Sequence, residues 1–346
     1  MLTILLVESI ISEDAAHQEE LMKDQVLQML RKSQDGPISG EEISRQLGVS
    51  RTAVWKHISS LRVEGHRVIS KSKVGYVLVD SPDLLYPLEI KSQVDKGSFG
   101  SNIIYREAVG STNNLAKEEA DRGAFHGTVV LAERQLAGKG RRGRVWSSDT
   151  NKGIWMSMIL RPSFSPQLAP RLTFVAAVAV IRAVEKVSGI KLELKWPNDV
   201  YCHGKKVAGI LTEMKAELDL IDYVVIGIGF NVNQQEEDFD QELKEIATSL
   251  AIISRGQFIR QELVVSLLKE FAHWYRVFES NGFTPVLKEW KEWDITIGKP
   301  VMVKEVTRQY PGVARGIDED GNLLVEDEFG KLHRVYSGEV SIRFKS

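Results

Sequence analysis

Four cations and three glycines share positions 138–144 of "GKGRRGRVW", with Val145 and Trp146 closing the stretch. Guanidinium forks and backbone amides freed by glycine are groups that hold phosphate oxygens. The whole chain carries a formal charge of only −2, so this is a local demand for positive charge. The anion is open among nucleic acid, a dinucleotide, the phosphates of a nucleotide, and solvent. Gly138, Gly140 and Gly143 fit G-x-G-x-x-G, but a strand-like run, "GIWMSMIL", follows where a dinucleotide fold needs a helix. No Asp or Glu stands between Asp149 and Glu185 to take a ribose, and no Gly-Lys-Ser/Thr marks a P-loop. Strand-like flanks argue against a disordered arginine-rich tract for RNA. A loop that closes over a phosphate remains, flexible when empty and ordered when filled.

The rest of the chain must position that loop. At 346 residues it is too long for one ordinary core, and two or three domains are expected. Hydrophobic residues at 43% and charged residues at 27% match a globular average and exclude disorder and coiled coil as starting points. One cysteine, Cys202, excludes an internal disulfide and any multi-cysteine metal site, which fits a reducing cytoplasm. No apolar run is expected to reach the length of a membrane span. "MLTILLVESII" lacks a basic start and a cleavage site, so residues 1–21 are expected to be a frayed extension, or to precede a true start at Met22.

Residues 21–80 hold ten Lys/Arg against six Asp/Glu. Leu21, Val26, Leu27 and Leu30 lie at helical spacing, and "SGEEISRQLGVSRTAVWKHISSLRVEGHRV" reads as two helices broken at "GVS". Ser39 with Glu42 forms a capping-box pattern, Gly48 suits a helix end, and Ser50 can cap the second helix. Val54, Ile58 and Leu61 make a buried stripe, which leaves Arg51, Thr52, Trp55, Lys56 and Ser59 on the other face. "HRVISKSKVGYVLV" then reads as a β-hairpin with Lys71 and Lys73 at its basic turn. This is the pattern of a winged helix-turn-helix, and Ser50, Arg51, Thr52, Trp55, Lys56, Lys71 and Lys73 are its candidate DNA contacts. The bland alternative is a basic helix pair that binds only protein.

"DSPDLLYPLEI" reads as a linker. Beyond it, 127–135 and 153–162 read as strands, 172–189 as a buried helix ended by Gly189, and "IKLELKWPND" as a strand entering a turn. "KVAGILTEMKAE" and "DYVVIGIGFNVN" read as a hairpin over "LDLI", followed by an amphipathic helix with Leu263, Leu267, Leu268, Phe271 and Trp274 inward. Five or six short strands around the "DEDGN" turn close the chain. The expected organisation is multidomain α/β: an extension over 1–21, a winged helix over 22–80, a mixed α/β catalytic domain over 81–296 and a small β domain over 297–346.

"GSTNNLA", "GKGRRGRVW", "KWPNDVY", "KVAGILTE" and "GIGFNVN" follow one another in an order and spacing that resembles the biotin–protein ligases. With the basic first module, the chain is similar over 22–346 to the bifunctional ligases that also repress biotin operons. The resemblance implies a class II synthetase-like catalytic domain and an SH3-like C-terminal barrel. It implies Mg²⁺, ATP and biotin, a biotinoyl-AMP intermediate, and transfer of biotin to a lysine of a carrier protein. By the same resemblance Lys195 stabilises the reacting carboxylate and phosphate. Arg141 and Arg142 retain the adenylate, while Lys139 stands where arginine is more usual. Ser111, Thr112, Asn113 and Gln135, with Lys139, Gly140, Arg141 and Lys195, form the biotin set. Trp146 and Arg343 join Arg141 and Arg142 at the nucleotide, with Asn231 near the nucleotide or the metal; no residue is named as a metal ligand, and no thiol is required. The adenylate-loaded form is expected to dimerise on a two-fold operator. A sensor without turnover and a lipoate-type ligase are the alternatives; Lys195 and Arg141 weigh against the first, and the polar set suited to a ureido ring weighs against the second.

Overall fold

Ser39 starts the helix around which the first unit folds, in a computed structural model that divides into Met1–Ser92 and Gln93–Ser346. The structure describes residues 19, 22–33, 36–63, 65–72, 74–305 and 309–336, and the backbone of 341–344. The extension expected over 1–21 lies outside them, Glu19 apart.

Helix α1 (22–32) is followed by α2 (Gly40–Leu47), α3 (Arg51–Val63), β1 (Arg67–Lys71), β2 (Gly75–Asp80) and α4 (Pro87–Lys91). The Ser39 hydroxyl accepts from the Glu42 amide at 3.0 Å, and Gly48 takes the left-handed conformation, φ 68, that ends α2. The Ser50 hydroxyl accepts from the Ala53 amide at 3.1 Å and so opens α3. Val54, Ile58 and Leu61 are fully buried and join Val26, Leu27, Leu30 and Ile43 in one core. Each such side chain contributes about 1.5–3 kcal/mol of burial. Arg62 ties α3 to the β1–β2 hairpin, donating to the Val68 carbonyl at 2.9 Å and the Ser70 hydroxyl at 2.7 Å.

The stretch expected to be a linker is folded. Leu85 and Ile90 are fully buried, Tyr86 packs on the unit's core, and its hydroxyl meets the buried His66 ring. Prolines starve a segment of amide donors, but Pro87 stands in the first turn of a helix, where none is needed.

The second unit is built on seven strands: β3 (Ile103–Val109), β4 (Val129–Gln135), β5 (Ile154–Leu160), β6 (Glu193–Lys195), β7 (Asp199–Cys202), β8 (Lys205–Glu217) and β9 (Leu220–Phe230). Their order is β3-β4-β5-β9-β8-β7-β6; only β3–β4 is parallel, connected through α5 (Thr112–Asp121). The β8–β9 hairpin pairs from Ala208↔Phe230 to Glu217↔Leu220, with one register shift between Lys215 and Ala216. Helix α6 (Leu172–Ser188) packs on the sheet, and Gly189, φ 71, ends it. After α7 (Gln241–Ile246) and α8 (Leu250–Ser254), helix α9 (Arg260–Asn281) packs on α6, and α10 (Phe283–Lys291) on both.

Two expectations are corrected in this unit. Residues 166–188 are long and apolar enough to cross a membrane by length and composition, yet they are buried in this core, as a helix flanked by sheet and helix must be. Trp274 is only half-buried; Tyr275 and Phe278 continue the inward stripe of α9 after Phe271. Trp274 and Tyr275 stand three and four positions after Phe271, so the helical period admits either, and Tyr275 is the one turned inward.

Strands β10 (Pro300–Lys304), β11 (Gln309–Ile317), β12 (Leu323–Glu326), β13 (Leu332–Val335) and β14 (Ser341–Phe344) form an antiparallel sheet ordered β13-β12-β11-β10-β14. It stands where the small barrel is expected, with β13 and β14 at its edges. Trp196, fully buried after β6, fastens this sheet to the larger one: its indole donates to the Gly321 carbonyl at 3.0 Å, and its amide to Thr296 Oγ1 at 2.9 Å.

Candidate functional site

The β3–α5 turn brings Ser111, Thr112 and Asn113, each 3% exposed, against the end of β4. Gln135 Oε1 accepts from the Thr112 amide at 2.8 Å and from its hydroxyl at 3.1 Å, while Gln135 Nε2 donates to Ser148 Oγ at 3.1 Å. The Ser157 hydroxyl lies 2.6 Å from Asn113 Oδ1 and 2.8 Å from Thr112 Oγ1. Asn113 Nδ2 donates to Glu213 Oε2 at 2.8 Å. Burial pushes the Glu213 carboxyl up, but its bonds to Lys117 and Asn113 outweigh this and hold the pKa below the usual value. Ser111 occupies the N-cap position of α5 without using its side chain as a cap.

Ser111, Thr112, Asn113 and Gln135 line a narrow cavity, together with Lys139, Gly140, Arg141, Trp146 and residues of β8 and β9. Glycine is required on its floor. A Cβ at Gly227 would lie 2.0 Å from Asn113 Oδ1, and one at Gly229 would lie 2.6 Å from the Trp146 indole.

The stretch 138–146 is folded back on itself. The Gly140 amide donates to the Arg144 carbonyl at 2.7 Å, and the Trp146 amide to the Gly138 carbonyl at 2.9 Å. Arg142 takes a left-handed φ of 58 and donates to the Lys304 carbonyl on β10 at 3.0 Å. Lys139 is exposed and donates to Asn114 Oδ1 at 3.0 Å. Arg141 is half-buried and donates to Asn198 Oδ1 at 3.1 Å. Burial lowers its guanidinium pKa, opposed by Asp199 and assisted by Arg142 and Arg144. It stays charged, since arginine does not deprotonate in proteins.

On the far side of Arg141 opens a cleft of about 390 Å³ lined by Arg142, Arg144, Trp146, Lys195, Lys206 and Asn231 among others. Gly140, Arg141, Trp146, Asn198 and Lys206 line both spaces. The Lys195 ammonium stands 5.2 Å from the centre of the Tyr201 ring. The structure thus brings together Ser111, Thr112, Asn113, Gln135, Lys139, Gly140, Arg141 and Trp146 in one cavity, and Arg141, Arg142, Trp146, Lys195 and Asn231 in its neighbour.

Asn231 is tied down: its Nδ2 donates to the Thr248 carbonyl at 3.1 Å, and its Oδ1 accepts from Gln234 at 3.4 Å. The Arg343 side chain and Lys73 lie outside the described residues. In the first unit Ser50, Arg51, Thr52, Trp55, Lys56 and Lys71 are all exposed, Trp55 at 57%.

Sequence reasoning missed Lys206 and Asp199, which form an ion pair at 2.6 Å with the Lys206 ammonium 5.0 Å from the Trp146 ring centre. Both stand inside motifs it quoted, "KWPND" and "KVAGILTE". A cation beside a turn with no visible partner gave no signal of its own.

Chemically, the arrangement offers a nest of neutral polar side chains, Ser111, Thr112, Asn113 and Gln135, beside a cationic cleft. Trp146 Nε1, buried between them, has no hydrogen-bond partner among the described residues, and a bound molecule can supply one.

Residues 105–231 match the Biotin/lipoate A/B protein ligase family, 23–77 an HTH domain and 296–343 the Biotin protein ligase C terminal domain. The chain is similar to the bifunctional ligase/repressor BirA of Bacillus spizizenii, 44% identical over 305 residues, covering 88% of this chain and 94% of that protein. The Bacillus subtilis protein of the same name is 42% identical over 322 residues, covering 93% and 98%. Among solved structures, the biotin protein ligase from Aquifex aeolicus in complex with biotin and ATP aligns with a TM-score of 0.62 at 31% identity. It covers 70% of this chain and 99% of that one.

Proposed function

Since the chain belongs to the family of bifunctional biotin ligases and repressors, we propose that it joins biotin to AMP, passes biotin to a carrier lysine, and represses transcription as a biotin-responsive switch. One observation carries the enzymatic part: Arg141 lines the polar cavity and the cationic cleft at once, where a carboxylate and a phosphate would have to meet.

The ureido ring sits among Ser111, Thr112, Asn113 and Gln135, neutral donors and acceptors that bury a neutral polar ring without a charge penalty. Its carboxylate then reaches Arg141. ATP occupies the neighbouring cleft with Trp146 against the base. In the first step the carboxylate oxygen attacks the α-phosphorus and pyrophosphate leaves. Arg141, Arg142, Lys195 and Lys206 offset the repulsion between two anions, which is electrostatic preorganisation rather than nucleophilic catalysis. In the second step the carrier's lysine amine attacks the acyl carbon and AMP leaves. Arg343 and Asn231 remain candidates for the nucleotide and Lys139 for the loop.

Mg²⁺ enters with the triphosphate. Among the described residues no group of three or more His, Cys, Asp or Glu is placed to hold a metal ion. Mg²⁺ favours phosphate and water ligands, and it is assigned here to the substrate.

The repressor part rests on the exposed face of α3, where Arg51, Thr52, Trp55 and Lys56 are free to enter a major groove, with Lys71 on the wing near phosphates; Lys73 keeps the candidate role that its place in the sequence gives it. Adenylate-promoted dimerisation on a two-fold operator and a cytoplasmic location complete the reading. The test is mass spectrometry of a biotin carboxyl carrier protein incubated with the chain, biotin and Mg-ATP. One biotin added to one carrier lysine supports the proposal. An unmodified carrier, or a carrier modified only when octanoate or lipoate replaces biotin, overturns it.

A further inference from the structure

Arg260 breaks two ordinary rules. It is a cation in the first turn of a 22-residue helix, where the dipole disfavours positive charge, and it is fully buried. Its two amino groups account for both. One donates to the Gly153 carbonyl at 2.8 Å and the other to Glu133 Oε2 at 2.8 Å. Glu133, 2% exposed, also accepts from the Tyr105 hydroxyl at 3.1 Å.

These two contacts fall on either side of the arginine-rich stretch. Glu133 lies two residues before the end of β4, and Gly153 immediately precedes β5, so everything between the two strands leaves and returns through one guanidinium. The return side is fastened again by its neighbour: the Lys152 carbonyl accepts from the Asn233 amide at 2.8 Å, and the Lys152 ammonium grips both Asp238 oxygens at 2.7 and 2.6 Å. Asn233 in turn grips Phe258 by both main-chain groups, at 2.8 and 2.9 Å, just ahead of Arg260. "GIGFNVN" therefore aims the backbone from which Arg260 springs.

We propose that Arg260 is a positioning residue for the adenylate-binding loop: with Glu133 and Asn233 it holds both stems of residues 136–152 and so sets where Arg141 meets the reacting groups. This deepens the reading of the loop given above and rests on it. A buried ion pair is a poor source of net stability, but its fork geometry fixes the two stems in direction and spacing.

The test compares full-length wild type with Arg260→Lys, Glu133→Gln and the doubly apolar Arg260→Met/Glu133→Met. Three quantities are read: thermal melting, tryptic cleavage after Lys139, Arg141, Arg142 and Arg144 without ligands, and the kinetics of biotin-dependent pyrophosphate exchange. Cleavage is compared at equal distance below each melting temperature, so a destabilised variant still counts. Loop cleavage should rise, and exchange at low ATP should fall by roughly ten- to a hundredfold, as expected when reacting groups are displaced by about 1 Å. The rise in KM for ATP should exceed the fall in kcat, and Arg260→Lys should recover part of both. Loop cleavage at the wild-type rate, or acceleration spread evenly over the chain, overturns the proposal. A wild type that never exchanges, with variants whose loops are still cut faster, sinks the ligase reading and leaves the clamp standing.

Discussion

On α3 the residues assigned to DNA, Arg51, Thr52, Trp55 and Lys56, occupy successive turns of one helix and are all exposed. The cavity under the arginine loop is the reverse. Ser111, Thr112, Asn113 and Gln135 are at most 8% exposed, and Asn113 bonds to Glu213 across 100 positions of chain. One surface displays its chemistry on a scaffold that another face of the same helix stabilises. The other uses its chemistry as part of the scaffold. Substitutions on α3 should alter binding and leave stability alone, whereas substitutions around the cavity should alter both.

The largest effect should come from Trp196→Ala. It empties a fully buried indole site and removes the bond to Gly321, which should cost about 3–5 kcal/mol, read as a shift in the denaturant midpoint of the 93–346 unit. A shift under about 1 kcal/mol would show that the two sheets are held elsewhere.

Gly227→Ala should come next. The new Cβ would fall 2.0 Å from Asn113 Oδ1, so overpacking should cost about 1–3 kcal/mol and biotin affinity should drop with it, measured by calorimetry and melting on one sample. Unchanged biotin binding would break the claim that the polar nest holds the ring.

Acidity separates the two regions more gently. The Glu213 pKa is depressed in the folded chain, so its contribution is present above the unfolded value of about 4.3 and disappears as pH falls through the folded value. Wild type should therefore lose, on acidification below that unfolded value, an increment of stability that Glu213→Gln never had. Parallel stability curves for the two proteins would remove Glu213 from the network.

The smallest stability effect belongs to Arg51→Ala and Lys56→Ala, within about 0.5 kcal/mol for exposed positions. Operator binding should weaken in each, and each lost phosphate contact should reduce the salt slope of log affinity by about 0.9. An unchanged slope would assign these side chains to bases or to protein.

Legibility divided along the same line. The helices and hairpin of the first unit could be read because their caps, stripes and turns are local: Ser39 with Glu42, Gly48, then Val54, Ile58 and Leu61. In the second unit the strands, the β8–β9 hairpin and the charged loop were equally visible. What escaped were pairings that exist only in three dimensions. Glu133 and Arg260 stand 127 positions apart, and neither neighbourhood hints at the other. Asp199 and Lys206 looked like ordinary turn charges until the β7–β8 pairing brought them together. Residues 80–90 looked slack because their two prolines masked Leu85, Tyr86 and Ile90, which are all buried, Tyr86 within the first unit's core. The family resemblance carried the roles of Lys195 and Asn231; their spacing alone did not.

The most direct test of the central claim is biotin-dependent exchange of labelled pyrophosphate into ATP, with Mg²⁺ and without carrier, by wild type, Lys195→Ala and Arg141→Ala. The account predicts exchange by wild type, a fall of about 10²–10³-fold on removing either cation from the reacting anions, and unchanged melting for Lys195→Ala. Exchange at the wild-type rate in both variants, or none from folded wild type, would contradict it.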